Sequence, residues 1–132
     1  MSNSSFLLQP ACLKTLSAVE ARPERSNQHE FHGVAQLRNI FGSDKFERLA
    51  IFHVRGEPIS DRAKVTWYDS RKEQTHRSAE YRLYFQSNKV MERAREGDNI
   101  LIGFDRAGDL NCVLIPSGSE GYKSNISTWE SA

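Results

Sequence analysis

Between Lys64 and Phe85 the chain reads KVTWYDSRKEQTHRSAEYRLYF, and this stretch narrows the folds open to it more than any other. Its start, around Val65 and Trp67, is rich in β-branched and aromatic residues, which suit a pleated, half-buried surface. Its end alternates Tyr81, Leu83 and Phe85 against Arg82 and Tyr84, the period of a strand with one buried face. Between the two, Arg71 to Ser78 hold Arg71, Lys72, His76 and Arg77 with almost nothing apolar. The pattern predicts two packed strands that present a basic, hydrogen-bond-rich loop.

The flanking sequence extends this β pattern. Cys12 to Glu20 reads as a strand, and Ala21 to Glu30 as a loop with a proline, charges and amides; Phe31 and His32 begin a short strand. Gly33 to Gly42 has Val34, Leu37, Ile40 and Phe41 at helical spacing and a glycine where a C-cap belongs, so a short helix is predicted. Arg48 to Arg55 is a strand, and Gly56 to Asp61 a turn. Ser87 is the expected N-cap of a helix over Asn88 to Arg95, with Val90, Met91 and Ala94 as its buried stripe and Gly97 after its end. Asn99 to Phe104 and Leu110 to Ile115 form a strand pair around the turn Asp105 to Asp109, with Gly108 at the left-handed position. Pro116 to Ala132 is rich in Ser, Gly and Glu. At 132 residues the chain is long enough for one core. The expectation is one domain over residues 1–116 and a flexible tail or linker start over 117–132. Its fold class is mainly β (α+β): a barrel-like antiparallel or mixed sheet with two short helices.

Several function classes find no support. Two cysteines, Cys12 and Cys112, sit in apolar settings and read as buried free thiols of a reducing compartment. No metal-ligand spacing, P-loop, GxSxG or GxGxxG occurs, so no cofactor, no metal and no catalytic residue is expected. Asp98, Asp105 and Asp109 bracket a hairpin without a lysine in its strands, so the acids at 105 and 109 read as turn residues rather than a nuclease centre. Apolar runs fall short of a membrane span and no secretion signal precedes Phe6, which points to a soluble cytoplasmic protein with no membrane partner.

Charge is distributed unevenly although the net is only +1. Arg62 to Arg95 carries nine Lys or Arg against four acids, and the remainder carries nine against thirteen. A basic middle in a slightly acidic frame suits a polyanion. Arginine and lysine read guanine in a major groove, Asn and Gln read adenine, and Glu accepts from the cytosine amino group. The stretch from Arg71 to Arg82 supplies all of these types in Arg71, Lys72, Glu73, Gln74, Arg77, Glu80 and Arg82. Arg25, Ser26, Asn27, Gln28 and His29 supply a second polar set. Arg62, Lys64, Lys89, Arg93 and Arg95 suit phosphates, which fix register. The alternatives are solvated connectors on a protein-interaction or small-ligand barrel, or a small metal-dependent nuclease.

Phe6-Leu-Leu…Ala11-Cys12…Leu16-Ser17-Ala18, then Gln28-His29…Gly33-Val34, then Tyr68-Asp69-Ser70-Arg71…Glu80-Tyr81-Arg82 resembles the N-terminal effector domain of EcoRII-type restriction endonucleases up to about Glu120. The resemblance implies a seven- or eight-stranded open pseudobarrel with two short helices, similar to the plant B-three DNA-binding domains. It implies two arms that grip the major groove of a duplex containing a short specific site. Gln28 and His29 would lie in the first arm, and Arg71, Lys72, Arg77, Glu80 and Arg82 in the second. Glu80 and Arg82 match an acid–base pair that reads a C·G-containing pair. Tyr81 stands where the family pattern has a lysine, so it would stack, meet a phosphate or pack. The resemblance makes the chain a non-catalytic module of, or partner to, a type II restriction endonuclease, with a nuclease domain as a candidate partner in the same chain.

Overall fold

The computed structural model describes residues 8–21, 29–32, 34–71, 80–126 and 128–131. They form an eight-stranded mixed sheet that curls into an open half-barrel, with a few short helices at its ends. The strands are β1 (Ala11–Thr15), β2 (Glu30–Phe31), β3 (Phe46–Val54), β4 (Ser60–Asp69), β5 (Tyr81–Phe85), β6 (Asn99–Phe104), β7 (Leu110–Ile115) and β8 (Glu130–Ser131). Their order across the sheet is β2-β5-β4-β3-β7-β6-β1-β8. Every neighbouring pair is antiparallel except β3 and β7, whose parallel pairing joins two antiparallel halves.

Alternation explains which side chains meet. Ala63, Val65 and Trp67 of β4 and Leu83 and Phe85 of β5 point inward, where they join Phe31, Phe52, Ile100, Ile102, Leu110 and Leu114 in one core. Lys64, Thr66 and Tyr68 point outward on β4, as do Arg82 and Tyr84 on β5. All six residues of β7 are buried, because its outer face is covered as well. There Leu13, Val113 and Ile115 pack with Ile126 and Tyr122 in a second apolar cluster.

That cover corrects the expected flexible tail. Lys123 N–H donates to Asn99 Oδ1 at 2.7 Å, Ile126 N–H donates to Thr15 Oγ1 at 2.9 Å, and β8 pairs with β1. Trp129 is buried in the main core and stands edge-on to Phe31. Its indole N–H donates to the His32 carbonyl at 2.9 Å. Because β2 and β8 are the two outer strands, this side chain stitches the open seam that no backbone ladder closes among the described residues.

Two shorter-range differences have local causes. The first strand stops at Thr15, and α1 (Ala18–Ala21) replaces its expected end. Ser17-Ala-Val-Glu20 is a capping box: Glu20 N–H donates to Ser17 Oγ at 3.3 Å, and Ser17 N–H donates to Glu20 Oε1 at 2.8 Å. The expected helix over Gly33 to Gly42 is a 3-10 turn (Val34–Leu37) running into α2 (Arg38–Phe41). In α3 (Lys89–Arg93) the N-cap is Asn88 rather than Ser87, its Oδ1 accepting from Met91 N–H at 2.9 Å. Cys12 and Cys112 are buried free thiols. Gly108 is left-handed in the β6–β7 turn, and Asp105 accepts there from Ala107 and Asp109 N–H. Among the described residues no helix is long and apolar enough to cross a membrane.

Candidate nucleic-acid interface

The connection between β4 and β5 rises from a tightly closed base. Asp69 Oδ1 accepts from Arg71 N–H and Glu80 N–H, both at 2.9 Å, and Ser70 N–H donates to the Glu80 carbonyl at 2.8 Å. These two backbone donors hold the Asp69 carboxyl below the usual carboxylate range. An aspartate leaving a strand before a serine turns the chain in this way because its short side chain reaches nearby amides. The base therefore fixes Glu80 and Arg82 relative to the sheet.

On that base the charged groups form one network. Glu80 lies between Arg82, 2.8 Å from Oε2, and Arg71, 2.7 Å from Oε1. The Arg82 hydrogen bond, then the nearby Arg71 charge, lower the Glu80 pKa. Arg82 is in turn raised by Glu80 first and Glu30 second, with Glu30 Oε2 at 3.5 Å from its Nη1. Arg82 Nε is covered and has no hydrogen bond among the described residues, so the guanidinium is not fully satisfied. Beside it Tyr68 and Tyr84 stack with ring centres 5.7 Å apart. Burial, then the hydrogen bond with Tyr84, push the Tyr68 hydroxyl up to about 12.

The sequence-expected residues distribute as follows. Arg71, Glu80 and Arg82 come together in the network. Lys64 lies on the same outward face of β4, about half exposed, with Glu47 only loosely paired at 3.9 Å. His29 stands at the other end of β5, edge-on to Phe85, and its carbonyl accepts from Phe85 N–H. The bases of the two polar connections thus flank the outward face of β5 at opposite ends, about 17 Å apart at a strand's rise per residue. Lys89 is exposed at the start of α3, where its N–H donates to Asp61 Oδ2. Arg25, Ser26, Asn27, Gln28, Lys72, Gln74, His76 and Arg77 lie outside the described residues.

Tyr81 is placed away from this face. Its ring stacks on Trp67 at 4.9 Å, the Arg38 guanidinium lies 4.8 Å over it, and its hydroxyl donates to the Ser43 carbonyl at 2.9 Å. Of the three roles open to it, packing is the one its contacts describe. Glu30, Tyr68, Asp69 and Tyr84 join the site as residues to which the sequence reading gave no role. Only Asp69 had a local signal, the Asp-Ser turn; Glu30 meets Arg82 across 52 residues. Two of the acids weighed for a nuclease have other duties. Asp98 accepts from Arg95 and Ser117 N–H, and Asp105 holds the β6–β7 turn.

Comparison with protein-family models, with curated proteins and with solved structures finds no match to this chain.

Proposed function

We propose that this chain binds double-stranded DNA at a short specific site, reading the major groove from the two connections that flank β5. The observation that carries this reading is the Arg71–Glu80–Arg82 network on an outward face. It presents an acceptor for the cytosine amino group beside donors for guanine O6 and N7. The curled, open eight-stranded sheet is compatible with a plant B-three-like pseudobarrel, and the motif order supports an effector module of the EcoRII type. In this reading the chain recognises DNA in the cytoplasm for a restriction endonuclease, has no catalytic activity of its own and needs no cofactor. Lys72 and Arg77 against Glu73 make the β4–β5 connection basic, which favours a polyanion.

A mobility shift on a randomised duplex pool, with and without a divalent ion, tests the proposal. Retention with an enriched motif and no cutting supports it. Absence of retention at moderate salt favours an interaction or ligand barrel, and metal-dependent cutting favours a nuclease.

Two further results are expected. Lys89→Ala weakens all duplexes alike and lowers the salt slope by about 1, read by titrating affinity against salt. An unequal loss on cognate and random DNA contradicts phosphate contact. The second concerns pH. Because Glu80 is depressed by Arg82 and Arg71, its charged form persists below the ordinary glutamate range of about 4.3. An interaction of a depressed carboxylate is present at higher pH and lost only as pH falls through the lowered value. The affinity ratio between C·G and its swap at the Glu80–Arg82 position is therefore expected to stay flat from about pH 8 to about pH 5. Fluorescence anisotropy on the two duplexes reads the ratio, and a loss centred near pH 6 contradicts the assignment of Glu80.

A further inference from the structure

We propose that Glu20, neutralised by Lys14, is a positioning residue that sets the edge strand β2 and, through Glu30, the reading conformation of Arg82. The proposal rests on the DNA-binding reading. Glu20 is fully buried in a four-residue helix, an unusual place for a carboxylate. Its two oxygens are met by Lys14 Nζ at 2.5 and 2.6 Å, by Ser17 N–H at 2.8 Å and by His32 N–H at 2.6 Å. One carboxylate thereby joins β1, α1 and the residue after β2.

β2 needs such a tie. It has two residues, lies at the sheet edge and, among the described residues, pairs only with β5. A strand that short contributes little pairing of its own. His32 is held from both sides, its N–H by Glu20 and its carbonyl by the Trp129 indole. This fixes the backbone two residues from Glu30, whose nearly buried carboxylate faces Arg82. An apolar pair of similar volume would serve the core equally well, so packing alone does not call for a buried ion pair here. The hydrogen bond to His32 N–H is what an apolar pair cannot supply.

The test replaces the pair as a unit, Lys14→Met with Glu20→Leu, so that no lone charge is left buried. Cooperative thermal unfolding is expected to persist. Amide exchange at His32 is expected to quicken, and the ratio of affinity for the selected site over random duplex to fall roughly tenfold or more, with random-duplex affinity unchanged. This loss is expected to overlap with that of Glu30→Gln rather than add to it. Lys14→Met with Glu20→Gln retains an acceptor for His32 N–H and is expected to restore much of the ratio; it also serves if the first variant does not fold. An unchanged ratio in a folded variant, or equal losses on both duplexes, overturns the assignment. A wild-type chain with no sequence preference overturns the DNA reading itself. Exchange at His32 that is slow in wild type and fast in the variant then identifies Glu20 as an anchor of β2 alone.

Discussion

Trp129→Ala is expected to lower the unfolding free energy by about 3–5 kcal/mol, the range for emptying a buried tryptophan site. The side chain is 3 % exposed, edge-on to Phe31 at 6.0 Å, and donates to the His32 carbonyl. Truncation opens a cavity in the main core and leaves that carbonyl without its indole donor, so two costs add. It also releases the side-chain stitch between β2 and β8, the two open edges of the half-barrel. Denaturant unfolding measures the change. Trp129→Phe retains most of the volume but loses the hydrogen bond, and is expected to fall between wild type and alanine. A loss below about 1 kcal/mol for the alanine variant, the size of a surface effect, contradicts the stitch.

Arg82→Ala is expected to lose about 1–3 kcal/mol on the cognate duplex and little on random DNA, the signature of a base contact rather than a phosphate contact. Arg82 is held by Glu80 at 2.8 Å and faces Glu30, so the guanidinium is oriented before any ligand arrives. Preorganisation limits the entropy lost on binding. Removing Arg82 also leaves Glu80 with Arg71 as its remaining ionic partner. The acid then stays charged and positioned, and the loss reports on the arginine. Competition of labelled cognate duplex against random duplex measures both terms. Equal losses on the two would remove Arg82 from the base-reading set.

What the chain revealed before folding follows from how far apart the interacting residues are. The pair β6 and β7 was legible because NILIGF and LNCVLI are apolar runs around a turn whose Gly108 adopts positive φ. β4 and β5 were legible through alternation, which also assigned Leu83 and Phe85 to the core. The capping box at Ser17 and Glu20 is a local signal that the strand reading of Cys12 to Glu20 passed over, so a strand was expected where α1 forms. Residues 117–131 read as a tail because their polar composition lacks periodicity. Their anchors lie far away in sequence, Ile126 on Thr15 and Trp129 on His32. At the site, Glu80 and Arg82 were found as a local pair. Glu30 was not, because only the β2–β5 pairing brings it to Arg82. Tyr81 shows the converse: its position beside Glu80 and Arg82 suggested a contact with DNA, and strand alternation turns it onto Trp67.

The central claim is that Glu80 and Arg82 read bases. Its most direct test is a paired selection from one randomised duplex pool, using the wild-type chain and Arg82→Ala at the same salt. The wild type is expected to enrich a short motif containing a C·G pair, and the variant to enrich the same motif with the preference at that one position lost. Recovery of no motif by the wild type, or of the same motif with every position intact by the variant, would contradict the account.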